Sequence, residues 1–226
     1  MHPALCCSSC NIQLETPYCN NCKKLIEFSP EVDYYSLFHL ERKLIISKEL
    51  LLKNYYHLSV ILHPDGFYGT EERKLATAWM ELTNLAYETL NNEEKRILYF
   101  LNKKTEDMKA IDSTVNVIDI YGDIQTALMN ADELLNKAPA MQTRITLLKY
   151  NYELKKVESA LADLNEKIRI IREQWTNRLQ EFDNRPLTDN DVETLLNIAG
   201  TFSYIHKFDN LINEKILQLK KVMKNI

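Results

Sequence analysis

Five cysteines lie within the first 22 of 226 residues, and the remaining 204 residues contain none. Four of them form two C-x-x-C pairs, Cys7-Ser-Ser-Cys10 and Cys19-Asn-Asn-Cys22, separated by eight residues. Each pair can offer two thiolates from one tight turn, and together they make a tetrahedral set for a structural zinc ion. Four thiolates leave no open position, so the pattern speaks against a catalytic metal. Asn20 and Asn21 suit the turn, because Asn tolerates the left-handed conformation. A head this short buries no core of its own, so metal binding would supply most of its folding energy. The expectation is that loss of metal loosens residues 1 to about 28 only. Redox-active or free thiols are the alternative reading, with Cys6 as a fifth, competing thiol. A cluster of this kind suits a reducing compartment better than a disulfide-bonded secreted fold.

The second chemical feature is His63-Pro64-Asp65. Pro64 ends the preceding helix and stiffens the turn. His63 and Asp65 then project from a pinned loop as one switchable donor/acceptor and one carboxylate suited to a partner's arginine. No nucleophile or pocket residue accompanies them, so an acid–base pair is the weaker reading.

The rest of the chain must position these groups, and its composition narrows the choice. Lys and Arg total 28 against 32 Asp and Glu, a formal net charge of −4, which does not suit nucleic acid. The four glycines, at 66, 69, 122 and 200, form neither a dinucleotide-binding nor a P-loop fingerprint. No apolar run reaches the length of a membrane span, and the first residues do not read as a secretory signal or an Arg-rich presequence.

Hydrophobic periodicity reads as all-α. Asp33 to Phe38 is a short helical turn. Ser47 caps a helix carrying Leu50, Leu51, Tyr55, Leu58 and Leu62. Thr70 caps another, with Glu71 and Glu72 in its first turn and a stripe of Leu75, Ala78, Trp79, Leu82, Leu85, Ala86 and Leu90. Ile97, Leu98 and Leu101 mark a last short helix. Further on, Leu154, Val157, Leu161, Leu164, Ile168, Ile171, Trp175, Leu179 and Phe182 follow heptad-like steps over about 42 Å of helix. The segment from Asn184 to Leu187 breaks this helix, and Asp189 or Asp191 starts the next, with Leu195, Ile198, Phe202 and Ile205. An earlier helix carries Ile120, Ile124, Leu128, Leu134 and Leu135 and ends before Pro139. Long amphipathic helices joined by short breaks predict an antiparallel bundle. Three zones follow: a cysteine head at 1–28, short helices at 31–104, and a three-helix bundle at 115–226. His39, His57 and His206 read as surface or capping residues.

With these elements in place, residues 33–101 resemble the J-domain, the module that stimulates ATP hydrolysis by DnaK-type chaperones. The resemblance is closest to the HscB type, co-chaperones of iron–sulfur cluster assembly. Asp33-Tyr34-Tyr35-Ser36-Leu37-Phe38 resembles its opening, and Leu62-His63-Pro64-Asp65-Gly66-Phe67 its H-P-D-x-F loop. Thr83 to Leu90 is similar to its N-x-A-Y-x-T-L helix, and Arg96 to Leu101 to the R-x-x-Y-L-L element that closes the domain. Members of that type continue into a three-helix bundle, and some eukaryotic ones carry a tetracysteine zinc head.

The resemblance implies a non-enzymatic co-chaperone that brings an IscU-type cluster scaffold to a DnaK/HscA-type chaperone, with no nucleic-acid or membrane partner. His63, Pro64 and Asp65 would touch the chaperone. On the helix before them, usually rich in basic residues, only Lys48, Lys53 and His57 are available. Val117, Ile118 and Tyr121 on the first bundle helix, and Tyr204 on the last, would hold the scaffold. The acidic face that the type carries on the first bundle helix is thin here, and Gly122 interrupts it. A mitochondrial matrix or mitochondrion-derived organelle is implied, with cytosol as the second reading. Two other classes remain: a zinc-headed structural adaptor with a degenerate J-domain, and a zinc enzyme. The intact tripeptide disfavours the first, and the closed thiolate set the second.

Overall fold

The structure is a computed structural model that describes residues 5–104, 120–137 and 143–224. It divides into two compact units, Met1–Lys104 and Thr105–Ile226.

The first unit opens with two minimal antiparallel hairpins. β1 (Leu5–Cys6) pairs with β2 (Gln13–Leu14), and β3 (Tyr18–Cys19) pairs with β4 (Lys24–Leu25). Four helices follow: α1 (Tyr34–Leu37), α2 (Lys48–Ile61), α3 (Thr70–Asn91) and α4 (Glu93–Leu101). Their ends obey local chemistry. The Asp33 carboxylate accepts from Ser36 N at 2.9 Å, and Ser47 Oγ accepts from Leu50 N at 3.1 Å. Ser47 satisfies a helix-end amide as the sequence predicts. At the start of α3 the cap is Gly69, which has no side chain to give, and Thr70 is already helical. His39 (φ 51°) and Asn102 (φ 52°) take the left-handed conformation just past α1 and α4, so His39 is a capping residue.

The buried face of α3 is rotated from the predicted stripe. Ala76 and Thr83 are fully buried, whereas Leu85 is 51% exposed. Thr83 is accommodated because its hydroxyl donates to Trp79 O at 2.8 Å. Two long-range charged ties close the unit. The buried Arg96 donates to Leu44 O (2.8 Å) and Leu90 O (2.5 Å). Arg42 donates to Asp33 at 2.9 Å and to Phe100 O at 3.1 Å, with its guanidinium 5.6 Å from the Tyr99 ring centroid.

The second unit contains α5 (Tyr121–Lys137), α6 (Arg144–Leu179) and α7 (Asp189–Lys224). The heptad-like seam is its core. Leu154, Leu161, Leu164, Ile168, Ile171 and Leu179 are buried, as is Phe182 in the 3₁₀ turn Gln180–Phe182, while Val157 and Trp175 are half-buried. Ile124, Ala127 and Ala131 meet that seam from α5, and Leu195, Phe202, Ile205 and Ile212 from α7. The pairs Glu158–Lys220, Asn165–Asn213 and Arg172–Asp209 run in opposite directions along α6 and α7, so these two helices are antiparallel. No described helix is long and apolar enough to cross a membrane.

The turn into α7 is held by Asp191. Its carboxylate accepts two bonds of 2.6 Å from Arg185, one of 2.8 Å from Thr188 N and one of 2.7 Å from Thr188 Oγ1. The Arg185 guanidinium first, and the Thr188 donors after it, hold this carboxyl well below the usual carboxylate range. A depressed folded-state pKa stabilises the fold fully above the unfolded value, near 4, and that stabilisation is lost as pH falls further. The urea midpoint of the bundle in Asp191→Asn is therefore expected to lie below wild type by a constant gap above about pH 5. The gap narrows progressively below about pH 4. A gap that does not depend on pH would contradict this account.

Candidate functional site

The four cysteines of the C-x-x-C pairs converge. Cys7 Sγ lies 3.4 Å from Cys22 Sγ and Cys10 Sγ 3.6 Å from Cys19 Sγ, and all four sulfurs fall within 4.8 Å of one another. A tetrahedral ion with bonds of about 2.3 Å places its sulfurs about 3.8 Å apart, so the donor set fits. Such an ion would cross-link the two hairpins, and four thiolates around it would leave no open position. Cys6 is exposed and stands outside the set.

For Cys7, burial raises the pKa, but bonds from Cys10, Cys22 and backbone amides outweigh it and bring the group to about 6. The backbone of Cys22 draws Cys19 down in the same way. Hydrogen bonds to Cys7 and then Cys19 push Cys22 up to about 12, and the bond to Cys7 raises Cys10. Metal binding at such a cluster displaces the thiol protons.

The left-handed residues are not Asn20 or Asn21. They are Asn11 (φ 55°) and Lys23 (φ 58°), the residues that follow each C-x-x-C. There the chain closes the turns Asn11 N–Cys7 O and Lys23 N–Cys19 O, both 2.8 Å. The steric demand falls after the second cysteine of each pair, where the strand resumes.

The head is also not energetically separate. Ile26 is buried, and its carbonyl accepts from Trp79 Nε1 of α3 at 3.1 Å. Phe28 packs edge-on to Trp79 with ring centroids 5.3 Å apart. Cys7, Cys19 and Ile26 belong to the same buried cluster as Leu58, Leu62, Trp79 and Leu82. The expectation that metal loss loosens only residues 1–28 is therefore corrected, because the head lacks a private core and borrows that of α3.

His63-Pro64-Asp65 lies between α2 and α3. His63 is extended (φ −61°, ψ 125°), as a residue before proline should be, and Pro64 opens the 3₁₀ turn Pro64–Gly66. His63 Nδ1 accepts from Asp65 N at 3.3 Å and lies 3.7 Å from the Asp65 carboxylate. The side chains of His63 and Asp65 are 59% and 86% exposed. On α2, Lys53 and His57 face solvent, whereas Lys48 donates to the buried Glu93 at 2.7 Å. Tyr56 and Val60 also face solvent, at one-turn spacing and leading toward His63.

In the bundle, Tyr121 on α5 and Tyr204 on α7 are each about half exposed, and both flank the buried Phe208 ring, at 5.9 Å and 6.2 Å between centroids. Neither fills the core. Val117 and Ile118 lie outside the described residues.

No protein-family model matches the chain. Over 135 residues it is 31% identical to the co-chaperone protein HscB of Buchnera aphidicola, an alignment spanning 54% of this chain and 78% of that protein. An HscB homologue of Burkholderia mallei is 30% identical over 83 residues, 36% of this chain and 47% of its own length. Among solved structures, human co-chaperone HscB superposes with a TM-score of 0.58 at 19% identity, over 93% of this chain and 98% of its own. HscB from Vibrio cholerae gives 0.54 at 20% identity, over 83% and 99%.

Proposed function

Because the chain belongs to the HscB family of co-chaperones, we propose that it stimulates ATP hydrolysis by a DnaK/HscA-type chaperone and delivers to it an IscU-type iron–sulfur scaffold. The observation that carries this reading is the exposed His63-Pro64-Asp65 loop, held by a 3₁₀ turn between α2 and α3. An exposed loop offering an imidazole and a carboxylate acts by contact. Its role is to bias a partner's equilibrium through differential binding, with no bond made or broken on this chain. Lys53, with His57, Tyr56 and Val60 beside it, extends the contact along α2. Lys48 contributes less, because Glu93 already engages it. The tetracysteine ion is read as zinc, on the preference of that ion for four thiolates. We place the protein where the scaffold resides, in a mitochondrial matrix or mitochondrion-derived organelle.

A single-turnover ATPase assay tests the reading. The wild-type protein should accelerate a DnaK-type chaperone and should do so further with scaffold present. No acceleration with any such chaperone would favour an adaptor role.

Tyr121 and Tyr204 are proposed as the scaffold contact, on their shared exposed position around Phe208. A central aromatic of a true contact costs about 2 kcal/mol or more when truncated. Tyr121→Ala and Tyr204→Ala should each weaken scaffold binding at least roughly tenfold in calorimetric titration with little change in Tm. Variants that lose stability and keep binding would move the scaffold surface elsewhere.

A further inference from the structure

The metal centre and the His63–Asp65 loop share one packed contact. Tyr18 sits on β3 directly before the ligand Cys19, and its ring meets Phe67 edge-on, with centroids 6.3 Å apart and planes at 64°. Phe67 closes the loop. Its N–H donates to Pro64 O at 3.1 Å, and its carbonyl accepts from Arg73 Nε at 3.3 Å.

Tyr18 is fixed from the other side. Its backbone pairs with Leu25 of β4, Ile26 N donates to Pro17 O at 2.9 Å, and Ile26 O is the acceptor for the buried Trp79. The loop itself is thinly supported. His63 and Asp65 are mostly exposed, and a Cβ added at Gly66 would meet nothing within 4 Å. A turn whose own bonds are local depends on such a side chain anchor to hold one conformation.

We propose that Tyr18 is a positioning residue: the metal-ordered head presses its ring on Phe67 and so holds His63-Pro64-Asp65 in the form that engages the chaperone. The consequence for stimulation rests on the co-chaperone reading; the coupling of head to loop does not. An edge-to-face pair of this kind is worth a factor of about three to ten in an equilibrium. Without it the engaging form is less populated, and apparent affinity falls by the same fraction.

Amide hydrogen exchange over residues 64–69 of the full-length, metal-loaded protein tests the coupling, with the bundle amides as internal reference. Tyr18→Ala should exchange about three- to tenfold faster there. Tyr18→Phe, which keeps the ring, should match wild type. Phe67→Ala removes the same contact without touching the head and should reproduce Tyr18→Ala, even if that variant holds metal poorly. Chelation should accelerate the loop more than the rest of residues 5–104 in wild type, and only as much as the rest in Phe67→Ala, since the loop-specific part acts through one contact. In the ATPase titration, the half-saturating concentration of Phe67→Ala should rise by the same factor while the maximum stays level. Loss of folded protein would raise the half-saturating concentration in the same way, so the loop-confined exchange is the readout that separates positioning from a merely structural role. Loop exchange equal to wild type in both alanine variants, or acceleration spread evenly over residues 5–104, would overturn the proposal. A wild-type protein that accelerates no chaperone would overturn the co-chaperone reading instead, and the exchange comparison would still decide the coupling.

Discussion

Changing His63 to Gln is expected to leave the helices intact and to cut the acceleration of chaperone ATP hydrolysis at least roughly tenfold, about 1.4 kcal/mol in the coupled step. The fold should be indifferent because the imidazole is 59% exposed and makes one local bond, Asp65 N to Nδ1 at 3.3 Å. Exposed substitutions of this kind shift stability by about 0.5 kcal/mol or less. Pro64 still stops α2 in the variant, so the turn keeps its shape. What changes is the ring presented to the partner: two nitrogens at fixed angles on a rigid plane become a longer amide with free torsions. Single-turnover hydrolysis, with circular dichroism as the control on folding, separates the two effects. A variant that accelerates hydrolysis as well as wild type would remove His63 from the contact.

Much of this arrangement is legible in the sequence because it is local or periodic. The C-x-x-C pairs need no partner further than 15 residues away. The seam from Leu154 to Phe182 announces its buried face by its step, and seven of its nine members are buried. Pro64 dictates the backbone of His63 through a steric clash between neighbours. The features that escape are those that join distant residues without a period. Trp79 reads as one more member of an apolar stripe, yet its indole N–H reaches Ile26 O, 53 residues earlier. Tyr18 and Phe67 carry no mark of each other. Lys48 reads as a free cation at a helix start, but Glu93, brought alongside by the fold, engages it. The left-handed turns escape for another reason. Asn20 and Asn21 have the right propensity, but the chain reverses where the second cysteine of each pair hands over to the strand, which is Asn11 in one hairpin and Lys23 in the other.

Cys19→Ser should empty the metal site and, through the shared core, destabilise the whole first unit. Cys19 is fully buried, and its sulfur is one of four within 4.8 Å of one another. A serine hydroxyl there neither ionises nor matches the soft ion, and three thiolates hold it far less tightly. Structural zinc sites carry apparent binding energies of about 10–16 kcal/mol, more than two hairpins of two-residue strands can replace. The head therefore opens, and Trp79 loses the cover of Ile26 and Phe28. Uncovering part of a buried indole at about 25 cal/mol per Å² costs about 2 kcal/mol, which lowers the melting temperature of a unit this size by roughly 8–16 °C. The metal content should fall from one ion per chain to none. Emission from Trp79 should shift to the red, while Trp175, half-buried in the bundle, serves as the reference. The same changes should follow chelation of the wild-type protein and reverse on return of the metal. A metal-free head that stays ordered, with Trp79 still shielded, would show that the four thiols hold the hairpins together without an ion.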